Sequence, residues 1–279
     1  MSLAGQYRLH PGAQPSIVGS RPVMGGASLG RLLRGQQGDS VVRLLGQLLT
    51  LCAHAQRRTA RMALWAAEHQ AYAPVALDST RSLELETARD HLRSMALDWP
   101  VRRPGATANP AFLHWLAQCP VRLGALALEL QPLQVATQRA QLRAWLESAI
   151  LHTPIAQWLA DHTQQDSFAA WCAAAADRAT PLQCLAAWHA TAQSLQPATR
   201  TLDILDANAT HQATQLRALA QDLFANPDFA LRPLWLGACA ETGAWSRLRH
   251  RQVQDPGYSA WSRLQARWVE LLELAHGPI

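Results

Sequence analysis

The chain has no lysine: all 25 of its basic residues are arginine. This excludes a P-loop lysine, a Schiff-base lysine and the phosphate-pairing lysine of kinases. Charge of either sign is sparse, at 16% of 279 residues, against the usual one-quarter or so. Cysteine is scarce too. Cys52, Cys119, Cys172, Cys184 and Cys239 form no CxxC pair, and an odd number cannot all join in disulfides. The set reads as reduced thiols of a cytoplasmic protein, without a disulfide frame or a closed zinc site. No apolar run is long enough to span a bilayer, so no membrane segment is expected. Residues 1–30 have no basic start followed by an apolar stretch, so no secretory leader is expected either. The net charge of +5 is dispersed, with small clusters at Arg57, Arg58, Arg61 and at Arg247, Arg249, Arg251. No nucleic-acid-binding motif accompanies them, so they read as solvated faces and no nucleic acid is expected as a partner.

What is present is 49% hydrophobic residues, enough for a sizeable core without staples. Residues 1–38 are rich in glycine and proline and disfavour helix. Within them Gln6–His10 and Ser16–Ser20, joined by Pro11-Gly12-Ala13-Gln14, suit a small hairpin. Residues 39–279 are rich in Ala, Leu, Gln and Arg, all good helix formers. Asp39 is placed to cap a helix reaching about Ala71, with an apolar stripe of Leu45, Leu48, Cys52, Ala55, Met62 and Ala66. Further helices are expected over 79–98, 109–119, 133–151, 154–162, 166–177, 181–194, 199–225 and 258–275. Thr153-Pro154 and Thr180-Pro181 read as a cap followed by proline at the first helical position. The expected architecture is mainly α: one helical domain over 39–279 with a small β or irregular segment, 1–38, packed on it. Of eleven tryptophans, Trp145, Trp158, Trp171, Trp188, Trp261 and Trp268 fall on helices. Core packing is expected, with each indole N–H satisfied at the edge.

Three segments carry residue types suited to chemistry. In Leu51-Cys52-Ala53-His54-Ala55, cysteine and histidine both suit transition metals. Residues two apart in a regular helix point about 200° from one another, so one metal reaches both only if the helix breaks there. Cys52 also suits a small buried apolar position, a common role for the residue. In Glu86-Thr87-Ala88-Arg89-Asp90-His91-Leu92, followed by Ala96-Leu97-Asp98-Trp99-Pro100, a carboxylate, Asp90, adjoins an imidazole, His91. Neighbours diverge by about 100° on a helix, so caps and inter-helix salt bridges are favoured over acid–base catalysis. In Trp235 to Arg247, Gly237 and Gly243 bracket Glu241 at a turn-to-helix junction, where Glu241 suits backbone N–H groups or an arginine. No set of acid, base and nucleophile is visible, and no enzyme activity is expected.

These three segments, in this order, resemble the large subunit of nickel–iron hydrogenases. Cys52 falls on the first cysteine of the family's CxxC, Ala55 on the second, Thr59 on a histidine, and Glu68 on the glutamate of the following helix. Asp90-His91-Leu92 with Ala96-Leu97-Asp98-Trp99 is similar to the family's DH and ALDW helix. Trp235-x-Gly237 and Glu241-Thr242-Gly243-x-x-x-Arg247 are similar to its glutamate–glycine segment. The second cysteine pair is missing, so a four-sulfur nickel site is not expected. A shortened, cysteine-poor relative of this kind resembles the HupK/HoxV family of hydrogenase maturation proteins. The resemblance implies a helical bundle like the core of the large subunit. It implies a temporary scaffold for an iron atom carrying cyanide and carbon monoxide, with Cys52 as the metal ligand and Glu241 beside the fragment; His54, which matches no ligand of the family, is a further candidate for binding the fragment. The implied partners are a HypC-like chaperone and the precursor of the hydrogenase large subunit. The alternative is a metal-free module that mimics the large subunit to organise maturation proteins.

Overall fold

A computed structural model describes residues 7–10, 16–19, 32–69, 77–102, 117–121, 132–163, 165–197, 199–202, 209–226, 229, 234–251 and 258–277. The helix expected over 109–119 lies outside them except at 117–119. The fold is mainly helical, as the composition requires. The chain divides into two compact units: Met1–Arg34 with Thr191–Ala266, and Gly35–Ala190 with Arg267–Ile279.

The larger unit contains α1 (Asp39–Leu48), a single tight turn at Thr50–Cys52, and α2 (Ala53–His69). The one helix expected from Asp39 to about Ala71 is therefore two. Asp39 is the first helical residue and makes no cap; Gly38 takes the capping position with φ 49°. The break resets the helical phase, so the expected stripe is not the buried one. Leu48 and Met62 are exposed, while Val42, Gly46, Ala53 and Ala60 are buried. Next come α3 (Leu77–Arg93) and α4 (Pro132–Leu146), each ending in a wider π turn, at Ser94–Asp98 and Glu147–Leu151. Then follow α5 (Ile155–His162), α6 (Gln165–Ala174) and α7 (Thr180–Ser194), the last of which passes into the smaller unit from Thr191. Pro154 is the N-cap of α5 rather than its first helical residue, and the α5 amide of Ile155 donates to Glu147 Oε1 at 2.9 Å.

Helical spacing explains this core. Leu85, Ala88 and Leu92 on α3, and Leu142, Leu146 and Ile150 along α4 and its π turn, are all buried. Each fully buried leucine contributes about 2 kcal/mol. Trp158, Phe168 and Trp171 pack edge to face or stacked, and Trp171 also meets Trp268 at 5.8 Å between centroids. The expectation that every indole N–H finds an acceptor is wrong for Trp158 and Trp268, whose buried Nε1 atoms have none among the described residues. Both rings are fully buried, and burial of the large ring outweighs one unmade hydrogen bond.

The smaller unit holds the antiparallel hairpin β1 (Tyr7–His10) and β2 (Ser16–Gly19), as expected. It also holds β3 (Arg200–Thr201), α8 (Ala209–Ala225), β4 (Leu234–Trp235), β5 (Ala238–Glu241) and α9 (Ala244–Arg251). The second hairpin and β3 were not expected; the helix read from 199 starts only at Ala209. β5 is central, parallel to β3 and antiparallel to β4. The last helix, α10 (Ala260–His276), contributes its first residues, to Ala266, to this unit and the remainder to the larger one.

Candidate functional site

Cys52 ends the tight turn between α1 and α2, and its side chain is half-buried. Two buried charged residues of α3 hold the backbone on either side of it. Glu86, 4% exposed, accepts the amides of His54 at 2.8 Å and Ala55 at 2.9 Å. These are N–H groups of the first turn of α2, which have no partner within the helix. A carboxylate there gains both charge-assisted hydrogen bonds and the positive end of the helix dipole. Arg89, 5% exposed, donates from Nη2 to the Leu51 carbonyl at 3.3 Å. Burial lowers the Arg89 pKa, while Glu86 and then Asp90 act to raise it. Glu86 and Arg89, one turn apart, thus fix residues 51 and 54–55 and leave Cys52 between two pinned points. Gln56 Nε2 lies 3.6 Å from Cys52 Sγ and can donate to it.

His54 is buried, at 9% exposed, as the second residue of α2. The helix break that a shared Cys52–His54 metal requires does exist. Among the described residues, however, no group of three or more His, Cys, Asp or Glu side chains is placed to hold a metal ion.

Glu241 ends β5, in the smaller unit, and its carboxylate takes an arginine. Arg263 donates from Nε at 2.8 Å and from Nη2 to Glu241 Oε1, and Thr199 Oγ1 donates to the same oxygen at 3.1 Å. The Arg263 guanidinium also lies 4.2 Å from the centre of the Trp245 ring. Ser246 Oγ donates to the Glu241 carbonyl at 2.8 Å, fastening the start of α9 to the end of β5. Glu241 is therefore the node joining β5, α9, α10 and the residues before β3. Cys239, two residues back on β5, is half-buried; burial pushes its thiol pKa up and the Glu241 charge adds to this. Cys52 and Glu241 belong to different units.

Asp90 is exposed and pairs with Arg93. His91 is buried and its Nε2 lies 2.7 Å from Glu270 Oε2, tying α3 to α10. This is the helix-to-helix pairing expected of the segment. Glu86 and Arg89 belong to the segment expected to make caps and salt bridges, but nothing in the sequence assigns either a particular role. Their signal was spacing: they sit among Leu85, Ala88 and Leu92, so two charges fall on or beside the buried stripe of α3.

A protein of Cupriavidus necator described as hydrogenase expression/formation protein HoxV is 32% identical to this chain over 290 aligned residues. The alignment covers 99% of this chain and 68% of that protein. No family model matches the chain. No solved structure matches it either. Near-complete coverage at this identity means that the chain belongs to the HoxV family of hydrogenase expression/formation proteins.

Proposed function

We propose that the chain is an accessory factor in hydrogenase formation, carrying an iron atom with cyanide and carbon monoxide ligands on Cys52 before it passes to the hydrogenase large subunit. The name of the C. necator relative supports the role in hydrogenase formation. The observation that carries the finer reading is the half-buried Cys52 thiol held at a helix break by Glu86 and Arg89. A thiolate is a soft donor suited to low-spin iron. The Gln56 amide, 3.6 Å from Sγ, can donate a hydrogen bond to that sulfur. With no three-residue ligand cluster among the described residues, a single thiolate grips its cargo weakly. Remaining coordination positions stay open to donors from a HypC-like chaperone and from the large subunit precursor. In this reading His54 and Glu241 support their own units rather than ligate iron: the His54 amide anchors α2 and the Glu241 carboxylate is engaged by Arg263.

A metal-free module that gathers maturation proteins is the second reading. It is favoured by α8, which leaves Leu216, Leu223 and Phe224 exposed, Phe224 at 93%. A cell lacking its own copy of the protein separates the two. Under the carrier reading, Cys52→Ala abolishes maturation of the hydrogenase large subunit, while Cys239→Ala leaves it intact. Normal maturation with Cys52→Ala rejects the carrier and leaves the module.

A further inference from the structure

The larger unit has a cavity of about 210 Å³ that the carrier reading does not use. It is lined by Arg81 of α3, by Arg139 and Arg143 of α4, and by His276 at the end of α10. Its floor is apolar, from Val135, Ala136, Ala140 and Ala275. Arg139 and Arg143 are four residues apart and so share one face of α4. Three guanidinium groups on one small hollow repel each other unless something negative sits among them.

The protein supplies only part of that negative charge. Glu84 pairs with Arg139 Nη2. The C-terminal end of α10 adds about half a negative charge. Arg81 and Arg143 are exposed and have no ion-pair partner among the described residues. Arg139 Nε and His276 Nδ1 are buried polar atoms with no hydrogen-bond partner among the described residues. Atoms without solvent-accessible surface do not face the hollow, so a ligand there meets instead the guanidinium groups of Arg81 and Arg143, which have no ion-pair partner among the described residues.

We propose that this cavity binds a compact multivalent oxyanion, of the phosphate-monoester or polycarboxylate class. Guanidinium groups present paired N–H donors that match two oxygens of either group. The volume equals about seven waters of liquid, enough for the anionic group and a few carbons over the apolar floor.

The test is calorimetric titration of the full chain with inorganic phosphate and, separately, with citrate, at constant ionic strength set by chloride. The expected result is saturable one-to-one binding of one or both anions. Arg81→Ala and Arg143→Ala each weaken it about tenfold, the loss expected for one charge-assisted contact. Both variants melt like wild type without anion, because both side chains are exposed. Arg43→Ala, an exposed arginine that does not line the cavity, leaves binding unchanged. Preference for phosphate or for citrate assigns the class. Absence of saturable binding by either anion overturns the proposal, as does equal weakening by Arg43→Ala.

Discussion

Cys52 and Cys239 are the two half-buried thiols, while Cys119, Cys172 and Cys184 are buried. In native buffer iodoacetamide is expected to modify Cys52 first, because burial and the Glu241 charge keep Cys239 protonated. Glu241→Gln removes that negative charge, lowers the Cys239 thiol pKa and speeds its alkylation; peptide mass spectrometry at pH 8 reads both effects. An unchanged Cys239 rate contradicts the coupling. Glu86→Ala leaves Arg89 buried without its countercharge and two α2 amides without an acceptor. It is expected to cost about 3 kcal/mol in urea unfolding. A loss below about 1 kcal/mol would place the hold on Cys52 elsewhere. Cys52 stands out in the sequence as a candidate because cysteine is rare and its flanking residues resemble a known motif. Glu86 does not, since its role depends on meeting amides some thirty positions earlier in the chain.

At the scale of elements, helix content follows from Ala, Leu, Gln and Arg, and most helices lie close to the expected ranges. The interruption at Leu49–Cys52 was not legible, because Leu49-Thr50-Leu51-Cys52 contains no glycine or proline. It depends on Glu86 and Arg89, which stabilise a new helix start from outside. The β4–β5 hairpin was hidden for a different reason. Its two-residue turn uses Leu236 at φ 50° and Gly237 at φ 78°. A type I′ turn takes positive φ at both positions, normally signalled by Asn-Gly or Asp-Gly. Leucine is unfavourable there and, at 63% exposed, gains little from packing. Leu236→Asn is therefore expected to stabilise the smaller unit by about 1 kcal/mol, read as a raised melting temperature. A lowered one would mean that the Leu236 side chain makes contacts worth more than the strain.

For the molecule as a whole, the buried thiols set a limit at alkaline pH. Burial pushes the Cys119 thiol up to about 11 and raises that of Cys172 as well. Their ordinary value lies near 9. A raised pKa means that the folded state holds its proton longer than the unfolded chain. The associated stability is full below about pH 9 and is lost as pH rises toward 11. Unfolding at pH 10 compared with pH 8 is expected to show a loss of about 1 kcal/mol per such thiol; Cys119→Ala and Cys172→Ala variants should each show less pH dependence. No helix among the described residues is long and apolar enough to cross a membrane. The mainly helical fold was legible from composition, whereas the division into two units was not, because the smaller one joins segments more than 150 residues apart. The central claim is that Cys52 carries the iron fragment. Its most direct test is infrared spectroscopy of the protein purified after co-expression with the hydrogenase maturation proteins, in the region where metal-bound cyanide and carbon monoxide absorb. The carrier account predicts bands from both ligands that vanish in Cys52→Ala. A spectrum without them, in a sample that still co-purifies with its partners, or bands that persist in Cys52→Ala, would contradict it.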